Sequence, residues 1–486
     1  MSYLFWDKLM IPNAVRPKTK IICTLGPATS TEKTIQALVD NGMSIARLNL
    51  SHGTLDEHIE SINLVRTISS KLEVPVGIMV DVPGIKYRVG RLGEDLVKLT
   101  QEKTVTLTSK DIIGSASRIS ISPAGIHLDA GIGRKVLLDD GLIELEVLSV
   151  SESEVECTIT RGGTLTEGRG VATPGKSPSH KFPNDKAIRS LEFARAHSVD
   201  FVAISTVTSA KDVISAREIL MKDDYSPYII SKIERADAIL NFDEILAEGD
   251  SIMVARGDMG VEVRLAEVPV IQKRLISKCN QAGKPVITAT QMLESMVRSS
   301  VPTRAEVTDV ANAIYDGTDA IMLSGETSIG KFPSEAVKVM AEVAIEAESD
   351  LPYRSMIVEK MEQLEPQADD AISYDACQTA YQLGANLIVA FTESGSTAFR
   401  VSKYRPVAPI LALTTSKLVQ QKLSLAWGVI PITVSTIETV DKFFEVGEEM
   451  AAKICGIPGG SLVVLVAGLP IGVPGGTNLL RVLTIK

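Results

Sequence analysis

Eight times, beginning at residue 20, a short apolar run rich in β-branched residues passes through polar or glycine residues into a longer stretch with helical spacing. The runs are KIICTLGPA (20–28), SIARLNLSH (44–52), VGIMVDVPG (76–84), DFVAIST (200–206), YIISKIE (228–234), SIMVARGD (251–258), PVITATQ (285–291) and AIMLSGET (320–327). Helical patterns separate most of them. One example is TSTEKTIQALVDNG, where Thr29 and Glu32 have capping-box spacing; another is VPVIQKRLISKCNQAG before the seventh run. Eight alternating units with polar residues at the strand ends predict a TIM (β/α)8 barrel.

One interval breaks the rhythm. Between Asp81 and about Gly175 the helical period disappears, and alternating segments such as TVTLTS, RKVLLDDGLIELEVLSV and SEVECTITRGG predict a small inserted β-barrel that acts as a mobile lid. Residues from Ser349 to Asp370 read as a charged connection. Beyond it, LIVAFTESGSTA, PILALTT, GVIPITV, SLVVLVAG and RVLTI alternate with helical stretches, as in an open α/β sheet with helices on both faces. The expected divisions are an N-terminal segment 1–17, a barrel in two parts (18–82 and 172–350), the lid (83–171) and a C-terminal domain (351–486).

With 486 residues, 45% of them hydrophobic and 23% charged, the chain can build several domain cores. A net charge of -10 argues against a nucleic-acid footprint. No apolar run reaches the roughly 18 residues of a membrane helix, and MSYLFWDKLM lacks signal-peptide organisation. The five cysteines are scattered without a C-x-x-C pair, so neither a disulfide frame nor a zinc site is expected, and a reduced cytoplasm is the simplest compartment.

The chemistry should sit between Tyr228 and Gly260, where two strands end in Lys232 and Glu234 and in Arg256, Gly257 and Asp258. A lysine and two carboxylates at the C-terminal ends of adjacent barrel strands suggest a cation and a metal acting on an anionic substrate. A structural ion pair is the plainer reading of Lys232 and Glu234. Arg47, Asn49 and Ser51 alternate along one strand face; Thr288 and Thr290 end the seventh run. His58, His127, His180 and His197 share no metal-ligand spacing. GVATPGKS (170–177) fits the Walker A expression, but Pro174 removes an amide donor and Pro178 blocks the helix a phosphate loop needs. TESGSTAFR opens a helix and offers Thr392, Ser394, Gly395, Ser396 and Thr397 to a phosphate; a plain helix cap is the alternative.

These motifs resemble the pyruvate kinase family over nearly the whole chain: KIICTLGPAT, ARLNLSHG, DVPGIKYRVG, DDGLI, ISKIE, MVARGDMGVEV, ITATQMLESM, PTRAEVTDVANAIYDGTDAIMLSGET, SGSTAFRVSKYRP and GGTNLLRV. The resemblance implies a cytoplasmic glycolytic homotetramer that moves the phosphoryl group of phosphoenolpyruvate to ADP, giving pyruvate and ATP. It implies Mg²⁺ or Mn²⁺ on Glu234 and Asp258, with Lys232 on the transferring phosphoryl and Arg47 on the phosphate. The substrate carboxylate goes to the Gly257 and Asp258 amides and Thr290, which also lies on the face where the enolate is protonated; the proton donor is left open. Asn49, Leu50, Ser51, His52, Arg88 and Arg169 match nucleotide positions, Arg169 replacing the usual lysine. Asn49, Ser51 and Asp81 match the monovalent-cation position.

The departures carry information. The family's common D-T-K-G-P-E-I-R reads Asp81, Val82, Pro83, Gly84, Ile85, Lys86, Tyr87, Arg88 here. Members with lysine at the sixth position tend to work without K⁺, so Lys86 implies that K⁺ is not required. PIGVPGGTN lacks the tryptophan and arginine seen where fructose 1,6-bisphosphate binds, which leaves a nucleotide or sugar monophosphate, or no effector. Ser205 to Thr208 replace a common S-F-V-R. Two other functions stay open on the residues alone: a barrel lyase or aldolase acting on oxaloacetate-like acids, and a silent paralogue that senses phosphorylated metabolites.

Overall fold

The computed structural model describes residues 16–175, 179, 182–222, 225–362, 364–437, 439–470 and 476–486. Most of the N-terminal segment, Lys176 and Ser177 of the Walker-like run, His180, and residues 471–475 of PIGVPGGTN lie outside them. The chain divides into two compact units. The first comprises the chain up to Asp81, His197–Val202 and Leu275–Lys486; the second comprises Val82–Ala196 and Ala203–Arg274.

All eight expected runs are parallel strands of one closed barrel: Lys20–Thr24, Met43–Asn49, Gly77–Val82, Phe201–Ile204, Tyr228–Ile233, Ser251–Ala255, Val286–Ala289 and Ala320–Leu323. They follow one another around the barrel in chain order. Five of them are buried along their whole length, which is why they read as continuous apolar runs rather than alternating ones. No helix among the described residues is long and apolar enough to cross a membrane.

Local chemistry sets the helix starts. In Leu55–Leu72, Thr54 Oγ1 accepts from Glu57 N while Glu57 Oε2 accepts from Thr54 N at 2.8 Å, a reciprocal capping box. The first helix corrects an expectation. It runs Glu32–Asp40 and is capped by Thr31 with Thr34, not by Thr29 with Glu32. Thr29 instead closes a 3-10 turn, Pro27–Thr29, and its buried hydroxyl is directed inward to Thr327 O.

In the second unit a closed seven-stranded barrel is built from strands between Tyr87 and Ala172, with its own apolar core. The Walker-like run begins as strand Gly170–Ala172, and among the described residues the next helix is Asp185–Ala196, eight positions past the run.

In the first unit, Leu387–Phe391, Ile410–Thr414, Val429–Thr433 and Leu462–Ala467 form a parallel sheet with Leu479–Thr484 antiparallel at one edge. Alternate residues serve two cores. Ile388, Ala390, Val464 and Val466 pack with helix Ala368–Leu383; Leu387, Val389, Val463 and Leu465 pack with helix Val440–Cys455. The expected connection before this sheet contains a helix, Tyr353–Met361, which the sequence conceals because only Ile357 is buried.

Candidate active site

In the second unit, strands Tyr228–Ile233 and Ser251–Ala255 lie side by side, with Lys232 opposite Met253. Lys232 and Glu234, two residues apart, point the same way at the strand end. Lys232 Nζ donates to Ser205 Oγ at 2.7 Å and lies 2.9 Å from Glu234 Oε1. Both side chains are buried, so the ion pair weighed from sequence does exist. Oε1 lacks hydrogen-bond geometry to any described group, whereas Oε2 accepts the Thr206 N–H at 3.1 Å. Glu234 Oε1 is thus a buried carboxylate oxygen that faces the Lys232 ammonium.

Thr206 holds this arrangement at a cost. Its φ of 55° is left-handed, which a β-branched residue rarely adopts. Its side chain packs against Gly84, where an added Cβ would press into the Thr206 hydroxyl. Glycine there permits the close approach.

Asp258 begins the next wall. It sits in the first turn of helix Arg256–Glu262 together with Gly257, where amide dipoles favour anions. Lys86 Nζ lies 2.6 Å from Asp258 Oδ1, in a pair that is 39% exposed on both sides. Among the described residues no group of three or more His, Cys, Asp or Glu could hold a metal. Two carboxylates suit Mg²⁺, which keeps waters and substrate oxygens in its shell, and the carboxylates of Glu234 and Asp258, lining one cavity, are of the type that role needs.

A cavity of about 510 Å³ gathers Lys86, Arg88, Arg169, Glu234 and Asp258. Arg88 Nη1 donates to Gly168 O, and Arg169 lies 3.3 Å from Asp139 and donates to Thr166 Oγ1. Sequence reading missed two members of the wall, Arg235 and Glu262, whose side chains pair at 3.3 Å. Burial, opposed by Arg235, raises the Glu262 carboxyl to about 6. The only sequence signal for Arg235 was its place directly after Glu234.

The first unit carries the other expected residues. Arg47 is buried at the end of its strand: Nε and Nη2 donate to Asp81 Oδ2 at 2.9 and 2.7 Å, and Nη1 donates to Thr24 Oγ1 at 2.8 Å. Asn49 Oδ1 accepts from Ser51 N, Leu50 N donates to Asp81 O, and the exposed His52 offers its carbonyl to His58 Nε2. Thr290 follows the seventh strand with φ 67°, a second β-branched residue in the left-handed region.

In the C-terminal sheet domain, Gly395 (φ 94°) caps helix Ser396–Lys403. Its N–H donates to Thr392 Oγ1, and the buried Thr397 hydroxyl meets Thr477 Oγ1 at 2.9 Å. Of the five expected phosphate contacts, Ser394 and Ser396 keep accessible hydroxyls, 3.1 Å apart.

Known proteins place these features in context. Residues 16–337 match the family model for the pyruvate kinase barrel domain, and residues 370–483 match that for the pyruvate kinase alpha/beta domain. A pyruvate kinase of Geobacillus stearothermophilus is 41% identical over 475 residues, covering 97% of this chain and 81% of that one. One from Staphylococcus epidermidis is 40% identical over 467 residues, covering 96% and 80%. The crystal structure of a pyruvate kinase from Cryptosporidium parvum superposes with a TM-score of 0.91 at 36% identity, covering 97% of this chain and 96% of that one.

Proposed function

The chain belongs to the pyruvate kinase family, and on that premise we propose that it transfers the phosphoryl group of phosphoenolpyruvate to ADP with a divalent metal and without a K⁺ requirement. The phosphorus–oxygen bond of the enol phosphate breaks as the ADP β-phosphate oxygen attacks, and the resulting enolate takes a proton to become pyruvate. The observation that supports this reading is the single cavity gathering Lys86, Arg88, Arg169, Glu234 and Asp258.

Phosphoryl transfer needs positioning and charge neutralisation more than covalent chemistry. Glu234 and Asp258 would hold Mg²⁺ or Mn²⁺, which when bound neutralises negative charge on phosphoryl oxygens. Lys232, held by Ser205 and Glu234, donates to the moving phosphoryl. Arg47 grips the substrate phosphate through a guanidinium already oriented by Asp81 and Thr24. The Gly257 and Asp258 amides and Thr290 receive the carboxylate. Arg88 and Arg169, with Asn49, Leu50, Ser51 and His52, bind the nucleotide.

Two contacts support K⁺ independence. Asp81, one of the monovalent-cation positions, is neutralised by Arg47, and Lys86 brings a fixed ammonium to Asp258. In the same reading the protein is a cytoplasmic homotetramer with the domain limits drawn from sequence. The direct test is ADP-dependent formation of pyruvate and ATP from phosphoenolpyruvate. Release of pyruvate from oxaloacetate without nucleotide would favour a lyase instead.

A further inference from the structure

Tyr87 stands where the family's common motif has isoleucine, between the two cavity cations Lys86 and Arg88. In strand Tyr87–Val89 the burial alternates, with Tyr87 and Val89 inward and Arg88 exposed. An isoleucine would fill this inward position by packing alone. The tyrosine adds a hydroxyl, and that hydroxyl donates to Asp129 Oδ2 at 2.7 Å.

Asp129 is 2% exposed, and its other oxygen, Oδ1, accepts the backbone N–H of Ser179 at 2.8 Å. One buried carboxylate thus ties the strand leaving the barrel to the chain returning toward it. The same strand also carries the third cation's backbone, because Val89 N donates to Arg169 O and Arg88 pairs in register with Gly170. Lys86, Arg88 and Arg169 are therefore mounted on two hydrogen-bonded segments, with the Tyr87–Asp129 bond as a buried polar anchor beneath them. Burial, and then the bond to Asp129, raise the Tyr87 phenol above its ordinary value.

We propose that Tyr87 and Asp129 are positioning residues of this chain, anchoring the strand that presents Lys86, Arg88 and Arg169 to the nucleotide. The proposal rests on the phosphotransferase reading above. A buried charge-assisted hydrogen bond is among the stronger orienting contacts available, and its loss lets the strand shift without removing any group that touches substrate.

The test is steady-state kinetics of the full-length Tyr87→Phe and Asp129→Asn variants, with thermal midpoints measured alongside. Phenylalanine keeps the ring and loses only the hydroxyl. The expected result is a rise of about fivefold or more in KM for ADP, with KM for phosphoenolpyruvate within about twofold of the parent. Asp129→Asn keeps an acceptor for Ser179 N–H and offers an amide to the tyrosine oxygen, so it should fall between parent and Tyr87→Phe. It also supplies the measurement if Tyr87→Phe does not fold. An unchanged KM for ADP in both variants overturns the proposal. So does a parallel change in both KM values with a lowered midpoint, which marks a merely structural bond. A parent protein that forms no pyruvate from phosphoenolpyruvate and ADP brings down the underlying function rather than this inference.

Discussion

Lys86 Nζ lies 2.6 Å from Asp258 Oδ1, bringing an ammonium from the edge of the inserted barrel onto a carboxylate of the candidate metal site. An ion pair this exposed contributes little to stability. On the proposed reading, its value lies in placing a fixed positive charge where the phosphates of substrate and nucleotide would converge. Activity measured in tetramethylammonium buffer should therefore change by less than about twofold on adding K⁺, and Lys86→Ala should acquire a marked K⁺ stimulation. Strong K⁺ activation of the parent protein would sink the idea.

Gly84 and Thr206 form a contact that should behave as a coupled pair. Gly84→Ala drives a methyl into the Thr206 side chain, and overpacking of this kind costs about 1–3 kcal/mol. Thr206→Gly relieves a left-handed conformation worth about 1–3 kcal/mol while keeping the N–H that Glu234 accepts. The double variant should lose most of the Gly84→Ala penalty. Additive effects in a double-mutant cycle on thermal stability would contradict the contact.

Asp200 supplies a pH signature. Its half-buried carboxyl accepts the Ile78 N–H at 2.8 Å and, because desolvation outweighs that bond, its pKa is raised to about 6. A carboxyl raised on folding holds its proton longer in the native state than in the unfolded chain. Native stability from this group is thus fully present below the unfolded value near 3.8 and falls as pH rises through about 6, by at most ~3 kcal/mol. Asp200→Asn keeps an acceptor and removes the titration. The midpoint of the variant relative to the parent should climb between pH 4 and pH 7; a difference that stays flat across that range would count against the account.

The C-terminal helix cap bears on regulation. With Gly395 N–H directed to Thr392 and Thr397 to Thr477, the hydroxyls of Ser394 and Ser396 are what the loop still offers a phosphate. Titrating nucleotide and sugar monophosphates at subsaturating phosphoenolpyruvate should lower its apparent KM, and Ser394→Ala with Ser396→Ala should abolish the effect. Activation by fructose 1,6-bisphosphate alone would contradict this assignment.

The barrel was legible because five of its strands are buried along their whole length and so spell continuous apolar runs. Lys232 and Glu234 were legible because a spacing of two puts them on one side of a strand. What stayed hidden was non-local. Nothing within the sequence near Lys86 points to Asp258, 172 positions away, or near Tyr87 to Asp129. The choice between Thr29 and Thr31 as a helix cap depended on a 3-10 turn that packs Thr29 inward, and helix Tyr353–Met361 had no apolar stripe to announce it.

The most direct test of the central claim is replacement of Lys232, whose ammonium sits between Ser205 and Glu234. In Lys232→Met, turnover of phosphoenolpyruvate and ADP should fall by about a thousandfold, the scale of losing a main electrostatic stabiliser. Mn²⁺ binding, followed by electron paramagnetic resonance, should persist through Glu234 and Asp258. Undiminished turnover in that variant would contradict the assignment of phosphoryl transfer to this site.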